Sequence, residues 1–273
     1  MPMTAIDSGI EELAPVQGLS VTLTDGVLAV TIDRPDSLNS LTAPVLAGIA
    51  DAMECAARDP RVRAVRLGGA GRGFSSGAGI SADDVPTGSG SATDTIAEAN
   101  RAVRTIVALP RPVVAVVQGP AAGVGVSLAL ACDLVLASEQ AFFLLAFTKI
   151  GLMPDGGASA LVAAAVGRIR AMRLALLAER LPAADALAWG LISAVYPADQ
   201  FDTEVDKVFA ALLAGPAVAL AKTKHAVNAA TLTELDGTLD REYVGQSALL
   251  VAHDFREGTR AFQERRPAKF TDT

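Results

Sequence analysis

The chain is short of several residues on which common protein chemistries depend. Cysteine occurs twice, at Cys55 and Cys132, so a disulfide-stapled framework has little to build on. Both lie in apolar, helix-like stretches and read as buried free thiols of a reducing compartment, with a single mutual bridge as the alternative. Histidine also occurs twice, at His225 and His253, isolated and without metal-ligand spacing, which points to surface or packing roles and to no metal site. Basic residues number 23 against 30 acidic ones, and the resulting net charge of -7 would repel a phosphate backbone, which argues against nucleic-acid binding. The first twenty residues hold Asp7, Glu11 and Glu12 but no Lys or Arg, so they lack the basic start and apolar centre of a secretory signal. They read as a loose tail over residues 1–19 of a cytoplasmic protein. One apolar run, residues 112–138, carries only Asp133 as a charge, yet Gly119, Pro120, Gly123 and Gly125 cut it into strand, turn and helix, which argues against a membrane span.

What is present is enough apolar sequence, 51% of 273 residues, to bury one large core. Residues 27–32 alternate and are β-branched, and Thr42 with Pro44 opens a periodic helix to about residue 58. The same pattern repeats: a strand over 62–67, a helix over 95–109, a strand over 112–117, a helix over 123–132, a strand over 134–137 and a helix over 156–166. Alternating strands and helices predict a parallel, layered α/β core over 20–198 that holds the site. Residues 81–91 (SADDVPTGSGS) read as a mobile surface loop and a candidate lid. From about Asp199 the pattern is helical throughout, so 199–273 reads as a helical region whose apolar faces dock on this core or on a neighbouring subunit.

Two stretches suit chemistry. Gly68-Gly69-Ala70-Gly71-Arg72-Gly73-Phe74-Ser75-Ser76-Gly77-Ala78-Gly79 follows the second core strand, and Gln118-Gly119-Pro120-Ala121-Ala122-Gly123-Val124 leads into a helix. Glycines let backbone approach a ligand and aim N–H groups at it, and a helix start favours negative charge. Two such turns at the ends of adjacent strands can converge on one oxygen, as an oxyanion hole requires. Taken alone, each turn fits tight turning and close helix–sheet packing better than it fits a ligand site.

Together these stretches resemble the enoyl-CoA hydratase/isomerase (crotonase) family. The resemblance is carried by IDRPDSLNSLT at 32–42, GAGRGFSSGAGIS at 69–81, VVAVVQGPAAGVGVSLALACDLVLAS at 113–138, FTKIGLMPDGGAS at 147–159 and EGTRAFQERRPAKF at 257–270. It implies a spiral of β-β-α units with a C-terminal helical trimerisation region, and a homotrimer or dimer of trimers. It implies an acyl-CoA or enoyl-CoA thioester as ligand, with coenzyme A arriving on the substrate and no permanently bound cofactor. The family's oxyanion amides fall on Ser76 and Val124, with Gly77, Gly123, Ser127 and Phe147 beside the substrate. Ser37, Leu38, Lys269 and Phe270 would border the CoA adenine. Arg34, Arg61, Arg63, Arg66 and Arg72 form a local positive concentration in an acidic chain, read first as solvated strand faces, with contact of some of them to the CoA phosphates as the alternative.

The departures from the family pattern are equally informative. Hydratases of the family use two glutamates, and the matching positions hold Ser127 and Phe147, neither a general base at neutral pH. Asp155, in Gly-Leu-Met-Pro-Asp-Gly-Gly, matches the acid/base carboxylate of members that shift an enoyl-CoA double bond, and Phe142, Phe143, Phe147 and Leu152 are candidates for the dry pocket that would raise its pKa. The same Asp before Gly-Gly also suits a helix cap. Three readings therefore stand: an isomerase using Asp155, an atypical hydratase, and a non-catalytic acyl-CoA binder.

Overall fold

The structure, a computed structural model, describes residues 9–79 and 92–271. The proposed lid at 81–91 falls outside them. β1 (Leu19–Thr24) and β2 (Val27–Ile32) form an antiparallel hairpin closed by Asp25 and Gly26, at φ 49° and 83°. That positive-φ pair is what a two-residue turn needs to match the strands' twist. β2 then pairs in parallel with β3 (Ala64–Gly69), β3 with β4 (Val113–Val117), β4 with β6 (Leu134–Ser138) and β6 with β9 (Ala194–Tyr196).

β4, reading VVAVV, is buried at all five positions, the mark of a strand covered on both faces. On one face α1 (Ala43–Arg58) and α2 (Ala92–Ala108) bring Leu46, Ile49, Met53 and Ile106 into the main core. On the other, α6 (Phe201–Ala214) sets Phe201, Val205 and Phe209 against Ala64, Val114, Val116 and Leu136.

A second, smaller sheet runs β5 (Pro120–Ala122), β7 (Phe142–Leu144), β8 (Leu181–Pro182), and isolated bridges Ser75–Ala121 and Leu41–Ala78 extend it. Each turn of chain leaves the large sheet, adds to the small one and enters a helix: β3 then 75–78 then α2, β4 then β5 then α3 (Val124–Ala131), β6 then β7 then α4 (Ala158–Leu177). This is the expected spiral of β-β-α units. α4 is interrupted at Gly167, whose φ of 74° and ψ of 164° are not helical, so its first helical stretch ends at 166 as the pattern predicts and a second continues to Leu177.

After α5 (Ala183–Trp189) and α6 come α7 (Ala217–Thr231), α8 (Leu235–Leu249), which packs on α2 and α4, and α9 (His253–Gln263), which packs on the 146–150 turn. Lys224 anchors α7: its Nζ lies 3.0 Å from Asp133 and donates to the Ile106 carbonyl at 2.8 Å. Residues 9–18, expected to be loose, instead lie against the core: Arg61 clamps Glu11 at 2.7 Å and Asp59 at 2.6 Å, and Val16 faces Gly48 of α1. Among the described residues no helix is long and apolar enough to cross a membrane.

Candidate active site

Three loops are laced together at the carboxyl ends of β2, β3 and β4. Asn39, fully buried at φ 58°, donates from Nδ2 to the carbonyls of Ala70 and Gly73, both at 2.8 Å, and accepts the Arg34 amide at 2.9 Å. Gln118 Nε2 lies 2.7 Å from the carbonyl oxygen of Gly69, 3.0 Å from that of Gly71 and 2.8 Å from that of Gly73. The glycine-rich loop is thus fixed by side-chain amides from both flanking strands.

Ser76 does not have the role expected of it. Its amide donates to the Leu38 carbonyl at 2.8 Å and its hydroxyl to the Ser37 carbonyl at 2.9 Å, so Ser76 braces the 37–38 loop and has no N–H left for a ligand. Two residues on, the Leu41–Ala78 bridge is made by the Leu41 amide to the Gly77 carbonyl at 2.8 Å and the Gly79 amide to the Leu41 carbonyl at 3.1 Å. In a parallel bridge the groups flanking Ala78 face Leu41, so the Ala78 N–H points the other way, toward β5 and the start of α3. Val124 is the first residue of α3, where helix amides have no intrahelical partner. Neither the Ala78 nor the Val124 amide makes a hydrogen bond among the described residues.

The two turns touch at Gly77 and Gly123. Gly77, at φ 91°, has no room for a side chain: a Cβ there would lie 2.9 Å from the Ala122 carbonyl oxygen and 3.3 Å from Gly123 Cα. Gly123, at φ 53°, faces Gly77 on one side and the ring edge of buried Phe147 on the other. The residues that follow these glycines, Ala78 and Val124, are the two whose amides are open.

Asp155 sits behind α3, 7% exposed. Its Oδ2 accepts from Gln246 Nε2 at 2.9 Å, while Oδ1 is buried with no hydrogen-bond partner among the described residues. Burial lifts this carboxyl from the ordinary aspartate range to about 7; the Gln246 hydrogen bond opposes the rise and the negative charge of Glu242 adds to it. Its side chain does not cap α4. Glu242 of α8 takes the Gly157 amide at 2.6 Å and the Ser159 amide at 2.9 Å. Ser127, fully buried, donates its hydroxyl to the Asp155 carbonyl at 2.7 Å, and Gly156 packs against Val124 and Ser127. Asp155 is therefore joined to the Val124 end of α3 by direct contact.

The structure groups Gly77, Gly123, Val124, Ser127, Phe147 and Asp155, with Ser37 and Leu38 tied to Ser76 beside Gly77. Lys269 and Phe270 follow α9, and the Lys269 amide donates to Glu257 at 2.9 Å. Of the arginines weighed for phosphate contact, Arg61 is committed to Glu11 and Asp59, Arg63 to the Leu213 carbonyl, and Arg34 to Ser40. Arg66 and Arg72 line a cleft of about 440 Å³ with Gln118. Phe142 is stacked under Arg180, 3.6 Å from its ring centre. Gln246 and Glu242 were missed because nothing local marks them: they reach the site from 91 and 85 residues away. Among the described residues no group of three or more His, Cys, Asp or Glu side chains is placed to hold a metal ion.

Comparison with known proteins places this geometry in context. The family model described as enoyl-CoA hydratase/isomerase matches residues 22–273. A 1,2-epoxyphenylacetyl-CoA isomerase of Escherichia coli is 38% identical over 249 residues, covering 90% of this chain and 95% of that protein. The crystal structure of an enoyl-CoA hydratase from Mycobacterium avium subsp. paratuberculosis superposes with a TM-score of 0.89 at 72% identity, covering 94% of this chain and all of the other. That of an enoyl-CoA hydratase/isomerase from Pseudoalteromonas atlantica gives 0.84 at 32% identity, covering 93% and 100%.

Proposed function

Because the chain belongs to the enoyl-CoA hydratase/isomerase family, we propose that it moves the double bond of an enoyl-CoA thioester, with Asp155 as the sole acid/base group and the amides of Ala78 and Val124 around the thioester oxygen. Ala78 replaces Ser76 as the first donor, since the Ser76 amide is spent on Leu38.

The reaction follows from these groups. Ionised Asp155 takes a proton from C2 of a 3-enoyl-CoA; the C2–H electron pair enters a conjugated dienolate, and charge builds on the thioester oxygen. Two amides aimed at that oxygen stabilise it, each contributing about 3 kcal/mol. The Asp155 acid then returns the proton to C4, leaving the double bond between C2 and C3. Coenzyme A enters as part of the substrate, and the proton shift needs no metal or redox cofactor.

The observation that carries this reading is the buried Oδ1, without a hydrogen-bond partner among the described residues, of a carboxyl whose pKa is raised to about 7. Hydration would need a second group to orient water. At the two positions where hydratases keep glutamates, the Ser127 hydroxyl is given to the Asp155 carbonyl and Phe147 is apolar. The apolar residues left exposed on α4 and α8, Ile169 and Val244 among them, are assigned to further copies of the chain in a trimer or dimer of trimers.

The test is isomerisation of a 3-enoyl-CoA by wild type and Asp155→Asn, run beside water addition to crotonyl-CoA. A loss of about 10³-fold in the variant is expected for removal of the only acid/base group. Comparable isomerisation rates in the two proteins, or wild-type hydration outpacing isomerisation, refute the assignment.

A further inference from the structure

We propose that Gln246 is a positioning residue for this reaction: from α8 it holds Asp155 Oδ2, so that Oδ1 alone carries the proton between the two carbons. The inference rests on the isomerase reading above and goes beyond it, because it places part of the catalytic geometry in the C-terminal helical region.

A carboxyl that shuttles a proton between C2 and C4 must reach both from one position, and a group free to swing loses much of that advantage. Asp155 is held at three points. Gln246 Nε2 donates to Oδ2 at 2.9 Å, Ser127 Oγ donates to the main-chain carbonyl at 2.7 Å, and the turn after it is fixed by Glu242 through the Gly157 amide at 2.6 Å. Gln246 is itself held: it is 1% exposed, and its Oε1 accepts the Met153 amide at 3.1 Å. That contact sets which end of the side-chain amide faces Asp155, since an N–H needs an acceptor and an ionised carboxylate needs a donor. Glu242 and Gln246 lie four residues apart on one face of α8, so a single helix face grips the 153–159 turn at both ends. With Oδ2 occupied, the oxygen left for the substrate is Oδ1.

The experiment compares wild type, Asp155→Asn, Gln246→Met and Gln246→Glu in isomerisation of a 3-enoyl-CoA from about pH 5 to pH 9. Gln246→Glu keeps the size and the acceptor for Met153 but replaces the neutral amide donor with a second carboxyl beside Asp155, so it carries the test even where Gln246→Met fails to fold. Both Gln246 variants are expected to lower the plateau kcat about tenfold or more and to leave KM within about twofold; the acidic limb moves upward by about one pH unit in Gln246→Met, from the lost hydrogen bond to a charged group, and further in Gln246→Glu, from the added like charge. An unchanged plateau and limb in Gln246→Glu, with Asp155→Asn inactive, overturns the positioning role and leaves the isomerase reading intact. A wild-type rate in Asp155→Asn overturns that reading and this inference together.

Discussion

Glu242 Oε2 accepts the Gly157 amide at 2.6 Å, so the opening turn of α4 is capped from α8 and not by the aspartate two residues before it. Asp155 thereby loses its most ordinary structural occupation. Burial also holds the Glu242 carboxyl above its usual range, even though the Gly157 and Ser159 amides favour its charged form. Two acidic side chains thus sit near one another in dry surroundings with only one of them tied into backbone amides.

That arrangement sets a pH dependence. The proposed base, Asp155, can take a proton only when ionised, so kcat for 3-enoyl-CoA isomerisation should rise with pH through a midpoint near 7. Glu242→Gln removes a negative charge that raises the Asp155 pKa, and its limb should move to lower pH. A limb that stays in place, or moves upward, contradicts the coupling between the two groups.

Stability should respond in the opposite sense. The Asp155 carboxyl ionises at 3.8 when unperturbed and at about 7 when folded, so across that window the folded chain keeps a proton that the unfolded chain releases. Stability falls as pH rises from about 4 to about 7 and stays lowered above that, by roughly 4 kcal/mol for a shift of this size. Asp155→Asn, a neutral isostere, should be more stable than wild type at pH 8 by on the order of 2–4 kcal/mol and nearly equal at pH 4. Urea unfolding at the two pH values measures it, and a pH-independent difference would count against the raised pKa.

Gly77→Ala should separate folding from turnover. Its Cβ would lie 2.9 Å from the Ala122 carbonyl oxygen at a φ of 91°, which pushes the two amide-bearing turns apart. A drop in kcat of about 10²-fold is expected, comparable to losing one oxyanion donor. Near-native far-UV circular dichroism should accompany it; full activity would remove this contact from the mechanism.

Asn39→Ala should act mainly on the fold. It leaves the Ala70 and Gly73 carbonyls without their buried donor and puts a Cβ-bearing residue without Asn's local tolerance at φ 58°. A destabilisation of about 3 kcal/mol is expected from the lost buried hydrogen bonds. A urea midpoint equal to wild type would show that the Gln118 contacts hold the loop unaided.

The parts of the fold legible in sequence are those governed by local pattern. β2 and α1 fall where alternation, Thr42 and Pro44 put them, and the glycine turn before Val124 opens α3 as read. β3 begins two residues later than its apolar pattern suggests, at Ala64. The small sheet escaped notice because β5 and β7 are three residues each and gain their pairing only from strands brought in by the spiral. The choice between Ser76 and Ala78 rests on which amide the Leu41 bridge turns outward, a matter of register that composition does not encode. Gln246 illustrates the same limit: on α8 it is one more buried polar residue, and its meaning comes from Asp155 91 positions earlier.

That long reach has an evolutionary corollary. A lineage that exchanges its C-terminal helices also exchanges Glu242 and Gln246, and with them the contacts that hold the turn carrying Asp155. Recombination breakpoints between Asp155 and Glu242 should therefore survive only when both parents keep a compatible carboxyl, glutamate and glutamine.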